Sequence, residues 1–169
     1  MKKYGIAVLA LALSACGGGE DVANVNIDGK DVSIKSSGNG EDANISIKGA
    51  NGETATINTG AAAASGAMPA GVAAYPGAKS TVTMTGSEGG KKGGMAVLET
   101  PDAPDKVIAF YKAEAARMGF TQEVSEINSN SDGEAASTYT AKGSDGTGLV
   151  VTAALNDGKT IITIMGGQQ

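Results

Sequence analysis

Few residues in this chain can do chemistry. Its 169 residues include no histidine, no tryptophan and a single cysteine, Cys16. Ser-His-Asp and Cys-His catalysis need an imidazole to take the proton, and the usual zinc sites need imidazoles or several thiolates. Carboxylates, a lysine pair and one thiol remain. Asp28, Asp31, Glu41, Asp42 and Glu53 fall in turn-like stretches. Calcium needs several converging oxygens, and their spacing fits no EF-hand or nonapeptide repeat, so they read as solvated turn acids. Glu123 and Glu126 are an odd number of residues apart and cannot share a strand face, which makes them a poor acid-base pair. The expectation is a non-enzymatic protein with no catalytic residue, no metal and no cofactor. A carboxylate-based hydrolase would need two acids meeting in one cleft, which this spacing does not suggest.

Two glycine-rich stretches invite a phosphate-binding reading. Gly38-Asn39-Gly40-Glu41-Asp42-Ala43 matches a loose dinucleotide fingerprint. That motif works only between a strand and a helix, and here the following residues alternate as a strand. Gly89-Gly90-Lys91-Lys92-Gly93-Gly94 lacks the upstream glycine, the Ser/Thr and the helix of a phosphate loop. It reads as a hairpin loop kept soluble by Lys91 and Lys92. Weak contact of those two lysines with an anionic envelope partner is the functional alternative.

Cys16 has a specific setting. Two lysines follow Met1, and Tyr4 to Leu13 is almost wholly apolar. That is the length of a signal-peptide apolar region and too short to span a bilayer. Small residues Ser14 and Ala15 precede Cys16. Leu13-Ser14-Ala15-Cys16 resembles the lipobox of bacterial lipoproteins. The resemblance implies cleavage between Ala15 and Cys16, a diacylglyceryl group on the sulfur and usually a further acyl chain, such as palmitate, on the new amine. Two or more chains anchor stably where one does not. Gly17 and Gly18 stand where proteins retained in the inner membrane often carry Asp, so the resemblance points to the periplasmic face of the outer membrane. Loss of residues 1–15 removes Lys2 and Lys3 and takes the formal charge from −5 to −7. Such a surface argues against nucleic acid as a partner.

The remaining chain divides by pattern. After a tether over 16–22, the aliphatics Val25, Ile27, Val32, Ile34, Ile45, Ile47 and Ile57 alternate with polar residues, as in half-buried strands. Asp28-Gly29 and Asn39-Gly40 suit two-residue hairpin turns. They predict Val25 opposite Val32, Ile34 opposite Ile45, and Val32 opposite Ile47. The loop at 49–53 sets Ile47 opposite Ala55 and Ile45 opposite Ile57. This is a four-strand antiparallel meander within 23–59, with its aliphatics on one face. A Gly/Asn/Ser-rich spacer is the competing reading. Residues 60–72, rich in Ala and Gly, read as a linker or loosely packed connection.

Residues 73–169 read as an α+β domain of order ββαββββ, an antiparallel sheet with one packed helix. Strands are predicted at 79–85 and 95–100, with a loop over 86–94 between them. Asp102 suits a helix N-cap, Pro104 and Asp105 its first turn, and Gly119 its stop. The helix covers 103–118, with Val107, Ile108, Tyr111, Ala115 and Met118 on one face and Phe110 beside it. Strands at 120–128 and 134–142 follow. A hairpin on Asp157-Gly158 then pairs Val151 with Ile164 and Ala153 with Ile162. Tyr75-Pro76-Gly77-Ala78, Thr100-Pro101-Asp102-Ala103-Pro104, Phe110-Tyr111-Lys112 and Gly119-Phe120 resemble marks of a widespread, mostly uncharacterised domain of bacterial lipoproteins and periplasmic proteins. That resemblance implies a fold and no activity. Two functions stay open: binding or scaffolding of an envelope protein or cell-wall partner, and carriage of a small apolar ligand in a pocket lined by Phe110, Val151 and Ile164.

Overall fold

The computed structural model describes residues 21–27, 30–38, 42–49, 52–131 and 134–168. Cys16, its flanking segment and the turn residues Asp28, Gly29, Asn39 and Gly40 lie outside them. Ten strands form one antiparallel sheet: β1 (Asp21–Ile27), β2 (Lys30–Gly38), β3 (Ala43–Lys48), β4 (Thr54–Thr59), β5 (Lys79–Glu88), β6 (Lys91–Thr100), β7 (Thr121–Ser131), β8 (Glu134–Lys142), β9 (Thr147–Asn156) and β10 (Lys159–Gln168). Their spatial order is β1-β2-β3-β4-β5-β6-β10-β9-β8-β7. Helix α1 (Pro104–Arg117) carries the chain from β6 at the middle of the sheet to β7 at its edge. The meander does not stand apart, because β4 pairs with β5 and continues the same sheet.

The hairpin on Asp157-Gly158 has the expected register, with Val151 opposite Ile164 and Ala153 opposite Ile162. Both turn residues take positive φ, +49° and +76°, as a two-residue turn between twisted strands requires. In the meander, Val25 lies opposite Val32, Ile47 opposite Ala55 and Ile45 opposite Ile57, as expected. The β2–β3 register differs by two: Ile34 faces Ile47 and Ser36 faces Ile45. The connection has four residues rather than two. Asp42 is drawn out of the ladder because its carboxylate accepts the Ala61 N–H at 2.6 Å. A slip of two preserves face parity.

The stretch 86–94 is also not a loop. β5 runs to Glu88 and β6 starts at Lys91, leaving only Gly89-Gly90 as the turn, at φ +57° and +82°.

The helix obeys its stripe. Val107, Ile108, Tyr111 and Ala115 are buried against Leu98, Leu149, Val151, Ile162 and Ile164. Its N-cap, however, is Ala103, with no side-chain cap. Asp102 sits one residue too early and serves elsewhere: it accepts from Tyr75 Oη at 2.8 Å and from Lys106 Nζ at 3.2 Å. These bonds hold its carboxyl below the usual carboxylate range, the tyrosine first and the lysine second. At the other end Gly119 takes φ +80°. The Phe120 N–H reaches Ala115 O at 2.9 Å and the Gly119 N–H reaches Ala116 O at 3.0 Å, a Schellman stop.

Residues 60–72 form two 3-10 turns, Gly60–Ser65 and Pro69–Gly71, which place Ala63, Pro69 and Val72 in buried positions. They lie on the helix side of the sheet. Gly66 packs against Thr83 and Asn58, and Ala70 packs on Gly166.

Tyr111 is fully buried, and its hydroxyl has no partner at ordinary hydrogen-bond geometry, with the Tyr75 backbone close enough only to act on it weakly. Burial pushes its phenol well above the ordinary range. Tyr111→Ala should cost about 3 kcal/mol, as large-to-small aromatic changes in cores do. A loss under about 0.5 kcal/mol in urea unfolding would place the ring outside the core. Tyr111→Phe should be neutral or stabilising at pH 7, because it removes a buried polar atom that lacks a well-placed partner. A phenol raised on folding favours the native state below the ordinary tyrosine pKa of about 10. That contribution is lost as pH rises through and beyond it. The wild type should therefore lose stability above about pH 10 faster than Tyr111→Phe.

Candidate functional site

The two faces of the sheet are finished differently. On the helix side, α1 covers β8 and β9, and the 3-10 turns cover the strands from β4 to β10. The strands of that side bury Leu98, Leu149, Val151, Ile162 and Ile164 completely. Their neighbours in sequence point the other way and remain half-buried or exposed, as the alternating burial of β6, β9 and β10 records. Among the described residues no helix or 3-10 turn packs on that second face.

The registers align two rows of residues across it. One row reads Ile45, Ile57, Met84, Met95, Met165, Val150 on β3, β4, β5, β6, β10 and β9. Six neighbouring strands make it about 24 Å long at the usual spacing of ~4.8 Å. Met84 and Met165 are 38% and 45% exposed, the two large apolar residues most open to solvent among the described residues. The next row on the same face, two residues along each strand, reads Ile47, Ala55, Gly86, Gly93, Gly167, Gly148. Four glycines in a line leave a strip of bare backbone beside a wall of methionine and isoleucine.

The result is a groove of about 1010 Å³ floored by the middle of these rows, Ile47, Ala55, Met84, Gly86, Gly93, Met95 and Met165, and rimmed by Glu53, Glu88 and Lys91. Its size sits at the upper end for small-molecule sites. Unbranched, polarisable methionines adapt to varied apolar shapes. Glycine is enforced in part by packing. A Cβ at Gly94 would lie 2.5 Å from Met84 O, and one at Gly167 would lie 2.7 Å from Gly93 Cα. Gly93 is different, since a Cβ there meets nothing nearer than 3.6 Å. Its glycine keeps the groove open rather than the strands close.

Lys91 and Lys92, expected together on one loop, are exposed on opposite sides of β6, Lys91 toward the groove and Lys92 toward the helix side. The residues expected to line a pocket between helix and sheet pack in the core. Val151 and Ile164 are fully buried there, and Phe110 packs edge-on against Tyr75 and Tyr111 with ring centroids 5.3 and 5.0 Å apart. The apolar residues left for a ligand lie on the reverse of the same strands. The methionine and glycine rows were hidden in the sequence because they join residues of β6 and β10, about seventy positions apart.

Residues 80–161 are similar to the START domain-like family. This stretch runs from β5 through α1 to the start of β10 and contains Met84 and Met95 of the groove. No curated protein and no solved structure matches the chain.

Gly94→Ala should cost about 1–3 kcal/mol through overpacking, whereas Ser87→Ala should change stability by under about 0.5 kcal/mol. Urea unfolding of the two variants compares them, and equal values would mean that β5 and β6 lie further apart at Gly94.

Proposed function

We propose that this protein is a lipid-anchored, non-enzymatic binding protein of the bacterial outer membrane, facing the periplasm, and that its ligand is an extended apolar chain such as the acyl chain of an amphiphile. The observation that carries the ligand is the groove: Met84, Met95 and Met165 beside Gly86 and Gly93, with Ile47 and Ala55 at one end, on a face that no helix or 3-10 turn covers among the described residues. Similarity to the START domain-like family supports ligand binding and so favours a carrier over a scaffold. A row of apolar residues running across neighbouring strands suits a linear chain better than a compact ring. The lipobox over Leu13–Cys16 supports the anchor, and a membrane-held carrier would meet acyl chains at their source.

Gly93→Leu tests the ligand. Its Cβ has room, so the chain should fold, while the added side chain fills the groove floor. A fluorescent fatty acid should bind the wild type saturably, and Gly93→Leu or Met165→Glu should weaken it at least about tenfold, the cost of losing one to two buried side chains' worth of contact. Unchanged affinity in both variants would move the ligand elsewhere. The anchor is checked separately. An alkynyl fatty acid should label the wild type in cells and not Cys16→Ser, and label retained by that variant would refute lipidation at Cys16.

A further inference from the structure

A second cavity, of about 450 Å³, lies on the helix side of the same sheet corner. Its sheet wall carries the hydroxyls of Thr54, Thr56, Thr85 and Ser87, with Lys92 and Gln168 at the strand ends, and its roof is the segment Met68–Gly71. Among the described residues, Lys92 is the one charged residue in its lining, with no carboxylate. That is unusual in a chain of net charge −5. Thr54 Oγ1 and Ser87 Oγ lie 2.8 Å apart, so one hydroxyl donates to the other and the second proton is left to point outward.

The roof is held at a cost. Ala70 takes φ +52°, ψ +10°, a left-handed conformation that a residue with a Cβ adopts poorly. Gly166 beneath it has no room for a side chain, because a Cβ there would lie 2.7 Å from the Ala70 Cβ. A strained residue and an obligatory glycine together fix the roof over the hydroxyls. Strain of this kind persists where surrounding structure enforces it, and it gathers at ligand sites.

We infer that this cleft is a binding site for a phosphate group, held by the Lys92 ammonium and by hydroxyl and carboxamide donors from β4, β5 and β10. A tetrahedral oxyanion offers acceptors in several directions, which matches donors spread along three strands and one cation better than a planar carboxylate does. Lys92 and the hydroxyls project to the other side of the sheet from Met84, Met95 and Met165, and the cleft and the groove meet at the strand ends, where Thr54, Thr85, Ser87, Lys92 and Gln168 border both.

The full chain in detergent micelles is titrated with inorganic phosphate, and separately with a micellar alkyl phosphate, at constant ionic strength. Binding is followed by backbone amide shifts. Saturable shifts centred on Ser87, Lys92 and Gln168 are expected in at least one arm. The free-phosphate arm alone would identify a soluble ligand, and the alkyl arm alone a lipid headgroup. Lys92→Gln should weaken binding about tenfold or more, as loss of a charge-assisted bond does, with Lys91→Gln within about twofold. Thr85→Val should weaken it and Thr85→Ser restore it. No saturable shifts in either arm, or equal losses in Lys91→Gln and Lys92→Gln, would overturn the assignment. Met165 borders the groove and not the cleft, so Met165→Glu should weaken fatty-acid binding and leave the phosphate shifts in place, and the two sites fail separately.

Discussion

The packing of Val107, Ile108, Tyr111 and Ala115 onto Leu98, Leu149, Val151, Ile162 and Ile164 is the interaction on which the rest of this molecule depends. One helix of fourteen residues is about 21 Å long and can cover a few strands on one side. The chain supplies no second helix among the described residues. The helix side is completed by the short turns over 60–72, which seat Ala63, Pro69 and Val72 against it. Nothing comparable covers the reverse side among the described residues. An alternating strand nevertheless has residues on both sides, and here many of the outward ones are apolar.

That remaining face is shaped by two opposed choices. Ile45, Ile57, Met84, Met95, Met165 and Val150 supply apolar height, and Gly86, Gly93, Gly167 and Gly148 in the adjoining row remove it. Glycine in a strand interior weakens the strand and often marks a close approach of another chain or a ligand. Gly167 answers to the first cause, since a side chain would strike the Gly93 backbone. Gly93 answers to neither packing nor positive φ, which leaves access to the groove as its reason. The meander enlarges the same face by adding Ile45, Ile47, Ala55 and Ile57 edgewise through β4.

Much of this architecture was legible from local pattern. The helix, its glycine stop and the Asp157-Gly158 hairpin follow from period and turn chemistry, and they appear where expected. Three features did not. Glycine's poor strand propensity disguised 86–94 as a loop, although pairing with β4 and β10 on either side makes it sheet. The β2–β3 register slipped because Asp42 bonds Ala61, a partner nineteen residues away that turn rules do not see. Asp102 lost its capping role to the Tyr75 hydroxyl for the same reason. The groove was the least legible of all. Its rows exist only after β6 is laid beside β10, a pairing set by the return path through α1 and three further strands.

The central claim is that the ligand meets the reverse of the sheet and not the helix-sheet interior. Photo-crosslinking with a diazirine-bearing fatty acid, read by peptide mass spectrometry on the full chain, tests it most directly. The account predicts adducts on Met84, Met95 and Met165 and on the segments around them, suppressed by unlabelled fatty acid and by Gly93→Leu. Adducts concentrated on Phe110, Tyr111 or Met118 of the helix side would contradict it.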